Sequence, residues 1–347
     1  MGRSAIASKD TPSLTEQNCR AGFRQTVPGI LVCVLISLVG LGLGSRFPII
    51  GAPVFAILIG IAASNLLKLS PLTKPGVSFC SKKVLQLAII VLGANLSLSQ
   101  IWNTGRESLW VMLVSLSVSL LGAWFIGTRM GISRRLTSLV GVGTGICGGS
   151  AIAAVAPIIS ADDDEIAFSI STIFLFNVVA VLVFPLVGHM IHLQDHGFGL
   201  WAGTAINDTS SVVAAGYSYS KAAGDFAAIT KLARTTMIIP ISLGFSLLMR
   251  RRSGGGSYSL KKILPWFILG FIAMATLNTL HLLGPTLPGV GGTAGRYLIV
   301  VALAGVGLGA NLQKMVKTGP KPILLGLMVW ALVALSSLAM QFVLHQF

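Results

Sequence analysis

Nine long apolar stretches run through this chain, at 27–44, 51–67, 84–101, 107–127, 166–188, 232–249, 264–283, 296–312 and 322–344. Each approaches the roughly 20 residues that an α-helix needs to cross the hydrocarbon core of a bilayer. A soluble core could not hide so many. Hydrophobic residues make up 54% of the 347 and charged residues only 10%, against about 25% in soluble globular domains. There is too little polar side chain to clothe a wetted surface. A water-soluble enzyme, a nucleic-acid-binding domain and a disordered chain are excluded. The chain reads as an all-α polytopic membrane protein.

Lys and Arg number 25 against 10 Asp and Glu, a net +15. In a spanning chain this excess reports orientation, because basic residues gather in cytoplasmic loops. Arg3, Lys9, Arg20 and Arg24 precede the first stretch. Lys68, Lys74, Lys82 and Lys83 follow the second, and Arg129, Arg134 and Arg135 follow the fourth. Arg250, Arg251, Arg252, Lys261 and Lys262 fill a Gly/Ser-rich linker at 250–262, and Lys314, Lys317 and Lys321 precede the last stretch. The opposite loops hold Arg46, Arg106, Lys221 and Arg296. The expectation is a cytosolic flexible tail at 1–26, a transmembrane domain at 27–347, a cytosolic linker at 250–262, the N-terminus inside and the C-terminus outside. Cys19, Cys33, Cys80 and Cys147 share no CxxC spacing, so neither a zinc site nor a redox pair is indicated.

Two repeats organise the membrane part. Leu92-Gly93-Ala94-Asn95-Leu96 recurs as Leu308-Gly309-Ala310-Asn311-Leu312, each followed by Thr-Gly and a further apolar stretch. By the charge count the two copies run in opposite directions, a pattern found in secondary transporters. The second repeat has a period of sixty residues. Gly143-Thr144-Gly145-Ile146-Cys147-Gly148-Gly149-Ser150 aligns with Gly203-Thr204-Ala205-Ile206-Asn207-Asp208-Thr209-Ser210, and a Pro-containing apolar stretch (Pro185, Pro240) follows each copy.

The copies lie in two apolar but Gly- and Ser-studded segments, 136–159 and 198–218. Glycine weakens a helix by about 1 kcal/mol relative to alanine. Broken backbone inside a membrane is tolerated only where protein or an aqueous cavity surrounds it. These segments therefore read as two interrupted helices that meet at mid-membrane and offer half-helix ends to a solute. Tight packing through small residues is the plainer alternative. If both segments cross, the chain has eleven membrane segments; if both re-enter, it has nine. The re-entrant form also puts the Lys- and Arg-free loop 189–197 outside.

Asp208 is the one acid within an apolar stretch; the other nine sit in the tail or loops. A charge there is usually functional. It could carry a proton or join Asn207 and Thr209 around a sodium ion, or else pair with Lys231 or Arg234. Those two cations, one helical turn apart at the start of an apolar run, could neutralise an oxyanion or reach for the interface. Asn95, Asn311 and Asn177 are uncharged polar residues within helices, suited to interhelical bonds or to lining a path. His189, His192 and His196 share a helical spacing but lack an evident Cys or acidic partner beyond Asp195. Gly149-Ser150 has a protease-like look, but nothing completes a nucleophile motif, so an enzyme is not expected.

GTGICGGSAIAA (143–154), GTAINDTSSVVAA (203–215), KLARTTMIIP (231–240) and the two LGANL copies resemble the YeiH family of bacterial inner-membrane proteins, the sulfate exporter family. The resemblance covers about 27–344. It implies kinship with the cation/proton antiporters and the bile-acid symporter-like transporters: an inverted-repeat secondary transporter with two interrupted helices, in which a core moves against a panel. It differs from the bile-acid pattern in having one spanning helix between the interrupted segments.

The expectation is export of a small anion, sulfate or a related oxyanion or sulfonate, coupled to H+ or Na+ by alternating access. The site residues would be Gly145, Cys147, Gly148, Gly149 and Ser150 in the first segment and Asn207, Asp208, Thr209 and Ser210 in the second. Lys231, Arg234 and Asn177 would complete it. No cofactor beyond the coupling ion, no metal and no nucleic-acid partner is expected. The partners would be the anion, the lipid bilayer and a second copy in a homodimer. A cation/proton antiporter is the first alternative. An intramembrane protease or sensor is the second.

Overall fold

A computed structural model describes residues 14–47, 51–67, 70–250, 266–284, 287–310 and 319–346. All regular structure among them is helical. Seven helices are long and apolar enough to cross a membrane, and two shorter apolar helices, Ala52–Leu66 and Trp266–Thr279, accompany them.

The first helix, α1, spans Leu14–Arg46, so it already runs through half of the stretch expected as a flexible tail. Residues 1–13 and the expected linker from 251 onward lie outside the described residues. Next come α2 (Ala52–Leu66), α3 (Lys74–Phe79) and α4 (Leu85–Leu92); a five-residue π turn, Cys80–Val84, welds α3 to α4. The third span therefore covers 71–95 rather than 84–101. It stops because Leu96 turns extended (φ −109°, ψ 146°) and Ser97 caps the next helix. Ser97 Oγ accepts from Gln100 N at 3.2 Å while Gln100 Oε1 accepts from Ser97 N at 2.9 Å. This reciprocal cap satisfies two end groups of α5 (Leu98–Arg129) at once.

Then follow α6 (Arg134–Gly145), α7 (Gly149–Val155), α8 (Asp163–Met190), α9 (Asp195–Ala205) and α10 (Thr209–Tyr219). A second reciprocal cap, Asp162 with Glu165, starts α8. Beyond lie α11 (Lys221–Thr236) and α12 (Ile238–Arg250). Pro240 has no N–H for the carbonyl of Thr236, which accounts for the interruption at Met237. The chain continues with α13 (Trp266–Thr279), α14 (Leu287–Gly309) and α15 (Pro320–Val343).

The helices sort into two groups. α1 to α4 pack with α13 and α14, and a buried cluster of Cys33, Ala56, Val77, Cys80, Val300 and Ala304 lies among them. The other group holds α5 to α12 and α15, with Ala180, Phe184, Phe198, Trp201, Val212 and Val333 at one of its centres. The groups meet where α10 lies against α2 and α14, through Val54, Ile57, Val213, Ala214, Ile299 and Leu303.

Within the second group, α6–α7 and α9–α10 are hairpins. A β-carbon placed on Gly143 would lie 2.9 Å from Ile152 Cδ1, nine residues further on, so α7 folds back beside α6. Ser133, the N-cap of α6, donates to Glu165 Oε1 at 2.5 Å, so the first hairpin begins where α8 begins. In the second hairpin the rings of Phe198 and Tyr219 stack with centroids 3.8 Å apart, and Tyr219 OH donates to Leu193 O. That hairpin begins and ends where α8 finishes. The two hairpins thus enter from opposite ends of α8, which is the re-entrant form.

Candidate functional site

The tips of the two hairpins touch. A β-carbon on Gly148 would stand 3.7 Å from Asp208 Cβ and 3.8 Å from the carbonyl carbon of Asn207. Gly148 is at φ 67°, ψ −127°, a left-handed conformation that only glycine adopts without strain. It lets the chain reverse between α6 and α7, and Gly148 N closes the turn by donating to Gly143 O at 2.9 Å. At the other tip Ile206 is extended (φ −83°, ψ 136°) and Asp208 N-caps α10. Its carboxylate accepts from Ser210 N at 3.0 Å and from the Ser210 hydroxyl. Asn177 of α8 fixes the same tip from the side, its Oδ1 accepting from Asp208 N at 3.2 Å.

Lys231 and Arg234 lie ten and thirteen residues into α11, about 15 and 20 Å along its axis. They are not at the start of a helix, because α11 begins at Lys221, well before the apolar run that marks it in the sequence. Both are fully buried. Lys231 Nζ donates to Ile146 O at 2.7 Å and to Ile206 O at 2.9 Å. Arg234 donates from Nη1 to Thr204 O and from Nη2 to Thr144 O at 3.2 Å. The pair therefore ties the last carbonyls of α6 to those of α9, each cation bridging the two equivalent positions of the sixty-residue repeat.

The physics favours this arrangement. Each helix C-terminus leaves carbonyls without intrahelical partners and carries roughly half a negative charge. Two such ends converge inside protein, where an unpaired carbonyl costs about 1–3 kcal/mol. A buried ammonium or guanidinium is costly by itself. Here each cost offsets the other. Lys231 and Arg234 make no ion pair with Asp208; the one ion pair among the described residues joins His196 Nε2 to Glu107 Oε2 at 2.9 Å.

The remaining residues sort by exposure. Gly145 and Cys147 are buried in the first tip, whereas Gly149 is half-buried and Ser150 exposed. Asp208 and Thr209 are half-buried and Ser210 buried. Asn207 is 1% exposed, and neither its Oδ1 nor its Nδ2 has a hydrogen-bond partner. The same holds for Thr144 Oγ1, Thr230 Oγ1 and Arg234 Nε. The crossing is thus a buried knot of polar atoms, several of them without a hydrogen-bond partner among the described residues, with Asp208, Thr209, Gly149 and Ser150 on its more open side.

All twelve residues named from the sequence fall on these tips or on the two helices that hold them, α8 and α11. Sequence reasoning missed the backbone partners of the cations. The repeat carried that signal, since Thr144 and Ile146 align with Thr204 and Ile206. The histidines have separate partners: His189 stacks on Tyr219, whereas His196 sits tilted against Phe226. Among the described residues no group of three or more His, Cys, Asp or Glu gathers for a metal. The first LGANL copy ends the 71–95 span, and Asn95 packs onto Gly292 of α14. In the second copy Ala310 O accepts from Ser64 Oγ at 2.9 Å and Asn65 Nδ2 at 3.1 Å, while Asn311 lies outside the described residues.

These residues define a multi-pass all-α membrane protein centred on a pair of opposed hairpins. A family model described as "Conserved hypothetical protein 698" matches residues 28–326. The chain belongs to that family, the UPF0324 or YeiH group of membrane proteins. It is 41% identical over 336 residues to a UPF0324 membrane protein of Streptococcus agalactiae, covering 93% of this chain and 98% of the relative. It is 44% identical over 334 residues to one of Streptococcus mutans (92% and 98%) and 40% identical over 340 to one of Fusobacterium nucleatum (92% and 98%). Among solved structures it is similar to the sodium proton antiporter MjNhaP1 of Methanocaldococcus jannaschii at pH 8. The TM-score is 0.31 and the identity 13%, covering 92% of this chain and 96% of that one. A score that low does not relate the two folds in detail.

Proposed function

We propose that this protein is a secondary transporter of the bacterial inner membrane that moves a small anion, sulfate or a related oxyanion or sulfonate, by alternating access. It is not an enzyme. Its N-terminus is cytoplasmic and its C-terminus outside, and it works as a homodimer. The reading treats the hairpins as the halves of an inverted repeat, with the second helix group as a core that shifts against the first.

One observation carries this reading: two hairpins entering from opposite ends of α8 touch at Gly148 and Asp208 over the Lys231–Arg234 pair. The near ends of the four half-helices contribute about +0.5 and −0.5 charge each and roughly cancel. Lys231 and Arg234 against Asp208 leave about one net positive charge in a site of low dielectric, which favours an anion. Because the cations are held by carbonyls, they act through their field and through Arg234 Nε rather than as a clamp. Protonating Asp208 strengthens the field, so proton and anion favour the same state and travel together. Net direction, export in the family resemblance, follows the two gradients.

The test is labelled sulfate flux in liposomes, with and without an imposed pH gradient. Flux that follows the gradient and loses that dependence in Asp208→Asn is expected. Absence of sulfate, sulfonate and carboxylate flux in folded protein would overturn the anion reading.

A second reading, a cation/proton antiporter, is favoured by Asp208 standing beside the unpartnered Asn207. A carboxylate with neutral oxygens suits a sodium ion. Flux that follows Na+ and ignores the anion would select it.

A further inference from the structure

Arg296 is placed by the sequence in a loop, but the structure puts it nine residues into α14, about 13 Å from the outer start of that helix. An uncompensated charge at such depth is costly in lipid. Yet Arg296 is exposed; Asp225 of α11 is near enough to act on it electrostatically, but no carboxylate lies within ion-pair distance of it among the described residues. Its Nε donates to Gly292 O at 3.3 Å, and its two terminal nitrogens have no hydrogen-bond partner among the described residues.

The side chain lines a cavity of about 310 Å³ between the start of α2, the returning limb of the second hairpin and α14. Pro53, Tyr217, Thr293 and Tyr297 form the nearby walls. Tyr217 OH donates to Asp225 Oδ1 at 2.5 Å, which holds that hydroxyl and ring on the hairpin side. Among the described residues, the one charged side chain that lines the cavity is this cation. The cavity sits on the seam between the two helix groups.

We propose that this cavity is a water-filled outer vestibule and that Arg296 makes it a binding site for small oxyanions, the class read for the crossing under the proposed function. A planar guanidinium with two terminal nitrogens suits a tetrahedral oxyanion or a sulfonate. The vestibule gathers the anion at the outer face, at the end of the hairpin whose tip carries Asp208.

Thiol labelling from outside tests it without requiring transport. Thr293→Cys lies on the cavity wall, and the native Cys33, Cys80 and Cys147 are buried. In right-side-out vesicles an anionic, membrane-impermeant methanethiosulfonate should label Thr293→Cys, with wild type as the control. Its rate relative to the cationic analogue should fall about tenfold when Arg296→Gln is added, as loss of one charge at close range predicts. Arg296→Lys should restore most of that preference. Sulfate added to the medium should slow the labelling in the Arg296 protein and not in Arg296→Gln. No labelling from outside, or a charge preference indifferent to Arg296, would overturn the vestibule. Charge-selective labelling that sulfate slows, in protein that moves no anion in liposomes, would overturn the transport reading and leave the vestibule standing.

Discussion

Gly148 and Asp208 face each other across the tips of two hairpins, close enough that a β-carbon on the glycine would stand 3.7 Å from that of the aspartate. The contact holds only while Gly148 keeps its φ of 67°. Gly148→Ala forces an L-residue into the left-handed region, which costs about 1–2 kcal/mol. The new β-carbon would also sit 3.3 Å from Ile173 Cγ2, and Gly148→Val adds two further methyls to that tight space. Thermal unfolding in detergent should rank wild type above Ala above Val, and an unchanged midpoint for Val would contradict this geometry.

Lys231→Met should be among the most damaging single changes in the chain. It leaves the carbonyls of Ile146 and Ile206 without their donor, at about 1–3 kcal/mol each. Lys221→Met at the exposed start of α11 should stay within about 0.5 kcal/mol. Equal midpoints for the two variants would sink the role given to Lys231.

Asn177→Leu takes the acceptor from Asp208 N. A loss of about 1–3 kcal/mol is expected, with Asp208 no longer held in register. A Leu variant as stable as wild type would show that the bond does not matter.

Tyr219 closes the second hairpin in two ways that can be separated. Tyr219→Phe removes the bond to Leu193 O and keeps the stack on Phe198, for about 0.5–1.5 kcal/mol. Tyr219→Ala removes both, and large-to-small changes of this kind reach about 3–5 kcal/mol. Proteolysis near 193–195, followed over time, should be quickest in the Ala variant and little altered in Phe; equal rates would place the closure elsewhere.

Asp208→Asn leaves an oxygen that can still cap Ser210 N, so folding should change by less than about 1 kcal/mol, the usual cost of losing a cap outright. Flux should lose its dependence on the pH gradient. A variant that keeps that dependence would move the proton to another group.

Much of this was legible in the sequence. The apolar stretches mark the spans because twenty residues of lipid contact leave a strong compositional trace. The sixty-residue repeat marks the hairpin tips because broken helices need glycine and polar residues at fixed positions. Boundaries were less legible. The break at Leu96–Ser97 is a backbone event whose only sign is a Ser followed three residues later by Gln. The start of α11 at Lys221 was hidden by its small and polar residues, which are buried against α9 and α10 rather than in lipid. What Lys231 and Arg234 bind could not be read from side-chain types, since their partners are carbonyls that every residue owns. Arg296 looked like a loop residue because apolar patterning alone cannot tell the first, more polar turns of a helix from the loop before it.

The bond from Lys231 to Ile146 spans 85 residues of chain, and this has a consequence for biogenesis. The first hairpin leaves the ribosome long before its own cap exists. Until α11 arrives, the carbonyls at its tip have no donor, so the hairpin is incomplete as a folding unit however apolar its flanks are. α11 is the latch that lets both halves of the site mature together, and nascent chains stopped short of Lys231 should remain targets for membrane quality control.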